Sequence, residues 1–298
     1  MTKPFKGLRL VLIASLLACS DQIFSLQAQT AEYPNHQAGS VKLLTIGNSF
    51  ADNAVEYLPA FAKLGGRQLL VMRANLSGHS LAQHASYLPV KGQNQPATEP
   101  HPYKNIIDPR THEKRDFSLR EALTCEDWDV VTIQQASIFS YQPESYQPYA
   151  DILIAYIHQY APHAKILIHE TWAYPADYLQ KMKNNKLSQQ VMYDGLNSAY
   201  QKLGAQTGLS LIPVGDAFQQ ARSQPQPIAL NIVGDKHANA AGKYLAAAVF
   251  YEELYGANVE PVAVVRPEIP AELATRLRRL AHETVAANKN SGAKVDRE

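Results

Sequence analysis

Two stretches far apart in the chain carry residue types that can do covalent chemistry together. Gly47-Asn48-Ser49-Phe50 offers a serine hydroxyl, and Gly234-Asp235-Lys236-His237-Ala238-Asn239 offers an imidazole with a carboxylate two residues before it. A serine is a weak nucleophile until a base within hydrogen-bond reach takes its proton, and the base needs a group that orients it. Ser49, His237 and Asp235 supply those three roles. Taken singly, each stretch is ordinary: a serine after a strand often just caps a helix, and a surface Asp-x-His is common. Residues two apart point the same way in an extended stretch. A direct Asp235–His237 bond is therefore expected from an extended loop, whereas a turned loop would face Asp235 to solvent. Asp216, in Pro213-Val214-Gly215-Asp216, is a more distant candidate for the same role.

Acyl transfer through such a serine also needs donors for the negative charge that builds on the carbonyl oxygen. Gly78, in Asn75-Leu76-Ser77-Gly78-His79, is a position where backbone can approach a ligand closely. Gln134 and Gln135 could offer side-chain N–H groups, although a glutamine pair also serves to satisfy loop backbone. Arg73, His79, Lys236 and the basic residues of Pro89–Asp116 would favour an anionic substrate if they lie near the site. Tyr141, Tyr146, Trp172, Tyr174 and Tyr178 could present aromatic faces to a sugar ring or simply pack. The chain has ten histidines but no His-x-x-x-His or Cys/His ligand spacing, so neither a metal nor a cofactor is expected.

These residues need elements to hold them. Val41–Ile46, Gln68–Arg73, Asp129–Ile133, Lys165–His169 and Leu209–Val214 are nearly continuous in apolar residues, as strands buried on both faces are. Helical patterns lie between and after them, at Asn53–Leu64, Leu119–Leu123, Tyr146–Tyr160, Leu187–Gln206, Ala238–Leu254 and Ala271–Ala287. Alternating strand and helix predicts a single three-layer α/β domain, residues 38–287, around a five-stranded parallel sheet. In such a sheet ligands bind beyond the carboxyl ends of the strands, where Ser49, Gly78 and the glutamines fall. The polar segment 89–116 reads as a hairpin or wall turned at Asp108-Pro109-Arg110-Thr111, or as a solvated loop. Residues 288–298 read as a disordered polar tail.

The order of these blocks resembles the SGNH (GDSL-like) hydrolase superfamily. Leu43–Phe50, Trp128–Ser137, Glu170–Pro175 and His237–Tyr251 are similar, more narrowly, to a bacterial branch catalogued as a domain of unknown function. The resemblance covers about Val41 to Gly256. It implies a flavodoxin-like sandwich with Ser49 as nucleophile, His237 as base and Gly78 as an oxyanion donor. It further implies ester hydrolysis, most commonly deacetylation of a glycan in exported members. Two departures stand out. The superfamily's third block carries an asparagine where this chain has Gln134 and Gln135, and its last block reads Asp-x-x-His where this chain has Gly234 three residues before His237.

Composition bounds the rest. Hydrophobic content of 46% with 18% charged residues is that of a globular chain. Lys3, Lys6 and Arg9 precede an apolar run, Leu10 to Ala18, too short to span a bilayer but suited to a signal peptide. The leader ends either near Ala28 or at Ala18, before a lipidated Cys19 that would tether the protein to a membrane. Removing residues 1–28 takes away three basic residues and one acid, leaving 25 basic against 26 acidic, a net charge of −1. A near-neutral chain without a basic run has no footprint for nucleic acid. Besides Cys19 the chain has one cysteine, Cys125, so no disulfide framework is expected. The expected protein is an exported ester hydrolase acting on a carbohydrate. A carbohydrate sulfatase and a non-catalytic glycan-binding lipoprotein on the same fold are the alternatives.

Overall fold

The computed structural model describes residues 39–89, 99–182 and 187–295, the last five of them as backbone. The expected leader, residues 1–28, lies outside the described residues. In chain order the strands are β1 (Ser40–Gly47), β2 (Gln68–Asn75), β3 (Tyr103–Ile107), β4 (Lys114–Phe117), β5 (Val130–Ile133), β6 (Lys165–His169) and β7 (Leu211–Ile212). The helices are α1 (Ser49–Val55), α2 (Leu58–Leu64), α3 (Leu81–Ser86), α4 (Leu119–Thr124), α5 (Tyr149–Tyr160), α6 (Ala176–Lys181), α7 (Gln189–Thr207), α8 (Val214–Arg222), α9 (Ala240–Tyr255) and α10 (Ala271–Val295).

Five strands form one parallel sheet in the order β2-β1-β5-β6-β7. The continuous apolar runs become strands with buried residues on both faces: every residue of β5 is buried, and the last five of β1. The order runs outward from β1 in both directions. Right-handed crossovers then place α1 and α2 on one face and the helices that follow β2 and β5 on the other. Contacts agree: α9 packs against α1, α2, α8 and α10, while α3 and α4 pack against α5. Helix α9 is buried nearly all round, with Ala246, Ala247, Ala248, Val249 and Phe250 at 0% exposure. The reversal between β1 and β5 opens a crevice at their carboxyl ends, and Ser49 follows β1 directly.

Several boundaries differ from the sequence reading for identifiable reasons. The pattern Asn53–Leu64 is two helices, α1 and α2, because Pro59 in the first turn of α2 cannot continue a helix past the Val55 carbonyl. Helix α5 begins only after Pro148, and Pro143–Ser145 forms a 3₁₀ turn before it. The run Leu209–Val214 pairs only at Leu211–Ile212, since Pro213 ends the strand and Val214 opens α8. The tail expected from Asn288 is instead helical to Val295, an added turn or two being cheap once a helix is nucleated. The Asn288 amide donates to the Leu211 carbonyl at 3.4 Å, tying this end to β7.

The segment before α4 includes the antiparallel hairpin β3–β4. Asp108 shapes its turn, accepting from the Arg110 amide at 2.9 Å and Arg115 Nε at 2.8 Å. Tyr103 at its base shares a hydrogen bond with His84 Nδ1 (3.0 Å), and His84 Nε2 meets the Gly47 carbonyl at 2.9 Å. The hairpin thus braces the end of β1.

Candidate active site

The strand end that carries Ser49 is built from a chain of hydrogen bonds with only one possible polarity. A Cβ on Gly47 would come within 2.7 Å of the Gln134 side chain, so glycine leaves room for that side chain over the strand end. Asn48 is extended and caps α1, its Oδ1 accepting from the Phe50 amide at 3.0 Å while its Nδ2 donates to the His79 carbonyl at 2.9 Å. Both partners are backbone groups, so Asn48 cannot be flipped. Gln134 Nε2 must therefore donate to Asn48 Oδ1 (2.9 Å), and Gln134 Oε1 must accept from His169 Nδ1–H (3.0 Å). His169 is fully buried, and burial pushes its pKa down to about 3, so the ring is neutral. The chain fixes where His79 sits, and with it the neighbouring Gly78.

His237 reaches Ser49 from the loop before α9. Ser49 Oγ and His237 Nε2 are 2.9 Å apart, and His237 Nδ1 donates to Asp235 Oδ1 at 2.7 Å. The same carboxylate oxygen accepts the His237 backbone amide at 2.8 Å. That amide, and then the imidazole, hold the Asp235 carboxyl below the usual carboxylate range, so Asp235 is charged. The direct bond does not come from an extended loop. The Asp235 amide turns back to the Ile232 carbonyl (2.9 Å), Gly234 has φ +68°, and Asp235 folds onto the amide two residues ahead as an Asx turn. This turn lets an acid two residues away do what a three-residue spacing does elsewhere. With the Asp235 side chain 44% exposed, the pair contributes orientation more than stability.

Groups remote in sequence hold this loop. Asp177 and Lys181 of α6 take the amide (2.6 Å) and carbonyl (2.9 Å) of Gly234. Trp172 Nε1 and Asn231 Nδ2 both donate to the Lys236 carbonyl, at 3.0 and 2.9 Å. Asn53 on α1 accepts the Ala238 amide at 3.0 Å, linking the base's loop to the nucleophile's helix. None of Asn53, Asp177 and Lys181 stands out in the sequence, because each acts on backbone groups 53 to 185 residues away.

The remaining candidates separate clearly. Gly78 lines the cleft at φ +70°, a conformation that favours glycine. Among the described residues neither the Gly78 nor the Ser49 amide has an acceptor, so both are free to meet a developing oxyanion. Gln134 and Gln135 are not donors to the cleft. Each is 1% exposed, and the Gln135 amide is spent on the Ser145 carbonyl and hydroxyl (2.8 and 3.0 Å). Trp172 is not a sugar platform: it is fully buried, stacked between Phe50 (4.2 Å) and Phe218 (4.5 Å). Tyr146 and Tyr174 are buried too; Tyr174 forms part of the cleft wall, its hydroxyl 2.9 Å from Ser137 Oγ and pushed up to about 12, chiefly by burial. Arg73 is exposed on β2 and does not line the cleft, whereas Lys236 does. Asp216 accepts from Tyr193 (2.9 Å) and Asn197 (2.8 Å) rather than from His237. Among the described residues no group of three or more histidine, cysteine, aspartate or glutamate side chains could hold a metal ion.

The cleft at Ser49 has a volume of about 130 Å³. Fold and site together define an α/β sandwich with a serine–histidine–aspartate relay at the carboxyl edge of its parallel sheet. The chain belongs to the family described as Domain of unknown function (DUF4886), which it matches over residues 42–287. A DUF4886 family protein from Bacteroides uniformis has a similar crystal structure, with 27% identity, a TM-score of 0.70, and coverage of 83% of this chain and 95% of that one. A protein from Slackia heliotrinireducens, provisionally described as an SGNH hydrolase, is 24% identical with a TM-score of 0.49, covering 72% of this chain and 98% of that one. No curated protein matches the chain.

Proposed function

We propose that this protein is a serine ester hydrolase of the SGNH type that removes a short acyl group from a carbohydrate. The observation that carries the reading is the unbroken relay from Ser49 Oγ through His237 to Asp235, at 2.9 and 2.7 Å. Ser49 Oγ attacks the ester carbonyl while His237 Nε2 takes its proton, and Asp235 stabilises the imidazolium that forms. The oxyanion falls to the Ser49 and Gly78 amides. His237 then passes its proton to the leaving alcohol, and water releases the acyl group from Ser49 by the same steps in reverse.

The cleft supports a small acyl group, since its 130 Å³ is well under the roughly 300 Å³ at which pockets begin to bury drug-sized ligands. The alcohol half then stays at the mouth, where Ser77 and Lys236 offer polar contacts suited to a polyol. A sulfate ester is less well supported, because of the two cations expected to hold it, Arg73 and Lys236, Lys236 alone lines the cleft. The intact relay weighs against a binding protein without activity. The basic flank and apolar run of residues 1–18 support export, with Cys19 as a lipid tether to the membrane. The test is acyl-chain selectivity: purified protein should hydrolyse acetyl esters, including acetylated oligosaccharides, at least tenfold faster than octanoyl esters of the same alcohol. Equal rates on both, or release of sulfate but not acetate, would overturn the assignment.

A further inference from the structure

The cleft beside the relay holds one permanent cation and no carboxylate. Lys236 lines it, between the base and the acid that orients it, while the other lining residues are polar but uncharged or apolar, apart from His237 itself. Its Nζ lies 5.8 Å from the Tyr174 ring centre and 5.9 Å from that of Tyr178, so two aromatic faces steady the ammonium without neutralising it. Among the described residues no carboxylate lies within ion-pair distance of it. What sets Lys236 apart is its place: among the described residues it is the lysine that lines the cleft at Ser49. The backbone that presents Lys236 is rigid, its carbonyl held by Trp172 and Asn231, and Asn231 is held in turn by Arg222 at 2.8 Å. Lys236 is thus half-buried, without a carboxylate partner, on a clamped loop in the same cleft as the nucleophile. It is well placed to receive charge from a ligand.

We propose that Lys236 is an anion subsite, and that the alcohol half of the substrate carries a carboxylate or sulfate group beside the ester that is cleaved. The proposal rests on the ester-hydrolase reading, but the anion is not the group hydrolysed. At the effective dielectric of about 20 that suits a partly exposed site, a single charge–charge contact favours the charged ligand by on the order of tenfold or more. Lys236 acts on affinity and selectivity and itself takes no proton in the relay.

The test uses Ser49→Ala protein, which cannot turn over, so that binding is read apart from hydrolysis. Calorimetric titration compares para-acetoxybenzoate and para-acetoxybenzenesulfonate with the neutral methyl ester of the first. The subsite predicts at least tenfold tighter binding of an anionic probe than of the neutral one. That preference should fall at least tenfold when Lys236→Met is added and survive Lys236→Arg. Preference for one anion over the other identifies the substituent as carboxylate or sulfate. Equal affinity for charged and neutral probes, or a preference unchanged in Lys236→Met, would overturn the subsite. Failure of hydrolysis by the wild type would count against the reaction and leave the binding result standing.

Discussion

Replacing Gln134 by glutamate tests the hydrogen-bond chain that holds the cleft, because it changes one donor and almost no volume. Gln134 must donate to Asn48 Oδ1 and accept from His169 Nδ1–H, and it is 1% exposed. A neutral carboxylic acid can make both bonds, but a carboxylate cannot donate. The fold therefore holds the introduced carboxyl protonated, raising its pKa above the ordinary glutamate value of about 4.3. A carboxyl whose folded-state pKa is raised contributes its full stability below the unfolded value and loses it as pH rises toward the folded one. The loss grows by about 1.36 kcal/mol per pH unit and reaches about 3.7 kcal/mol at pH 7, if the folded value lies above 7. Urea denaturation of wild type and Gln134→Glu between pH 5 and 8 should give a stability difference that widens with pH at close to that slope. Gln134→Leu should give a difference independent of pH. A pH-independent difference for Gln134→Glu would refute the assigned polarity.

Other outcomes follow from the same contacts. Asp235→Asn should lower turnover by about 10² to 10⁴ with the fold intact, as loss of the orienting acid does in serine proteases, and a loss under about tenfold would mean a Ser49–His237 dyad. His84 and His169 are buried, and burial pushes them down to about 4 and about 3 from an ordinary 6.5. The unfolded chain takes up protons first, so stability is full above about pH 6.5 and falls below it, by roughly 4 kcal/mol at pH 5 for the two together. Denaturant titrations at pH 7 and pH 5 check this, and equal stability at both would contradict the burial of neutral rings.

Much of the scaffold was legible in the sequence because the inner strands β1, β5 and β6 are buried on both faces and read as unbroken apolar runs, and Lys165–His169 was bounded without error. Boundaries failed where proline set them: Pro59 split a helix, Pro148 delayed one, and Pro213 cut the last strand short. Helices α3, α6 and α8, of six, six and nine residues, were missed, whereas six-residue α4 was visible as Leu119–Leu123. At the site, Ser49 and His237 were visible as types at the right places in the strand–helix order. The turn that brings Asp235 onto His237 was not, since it depends on a positive φ at Gly234 and on α6 gripping that residue from 57 positions away. Gln134 and Trp172 were singled out, yet their roles came out differently: both lie beneath the cleft, and burial cannot be read from residue type alone.

The nucleophile can be identified directly with an aryl- or alkyl-fluorophosphonate, which forms an Oγ–P bond with loss of fluoride only at a serine activated by a neighbouring base. Ser77 and Ser137 share the cleft with Ser49 and serve as internal controls. Peptide mass spectrometry should find the phosphonyl adduct on Ser49 alone, and His237→Ala should slow its formation by about 10³ or more. Label on Ser77 or Ser137 instead, or equally fast labelling of Ser49 in His237→Ala, would contradict the relay.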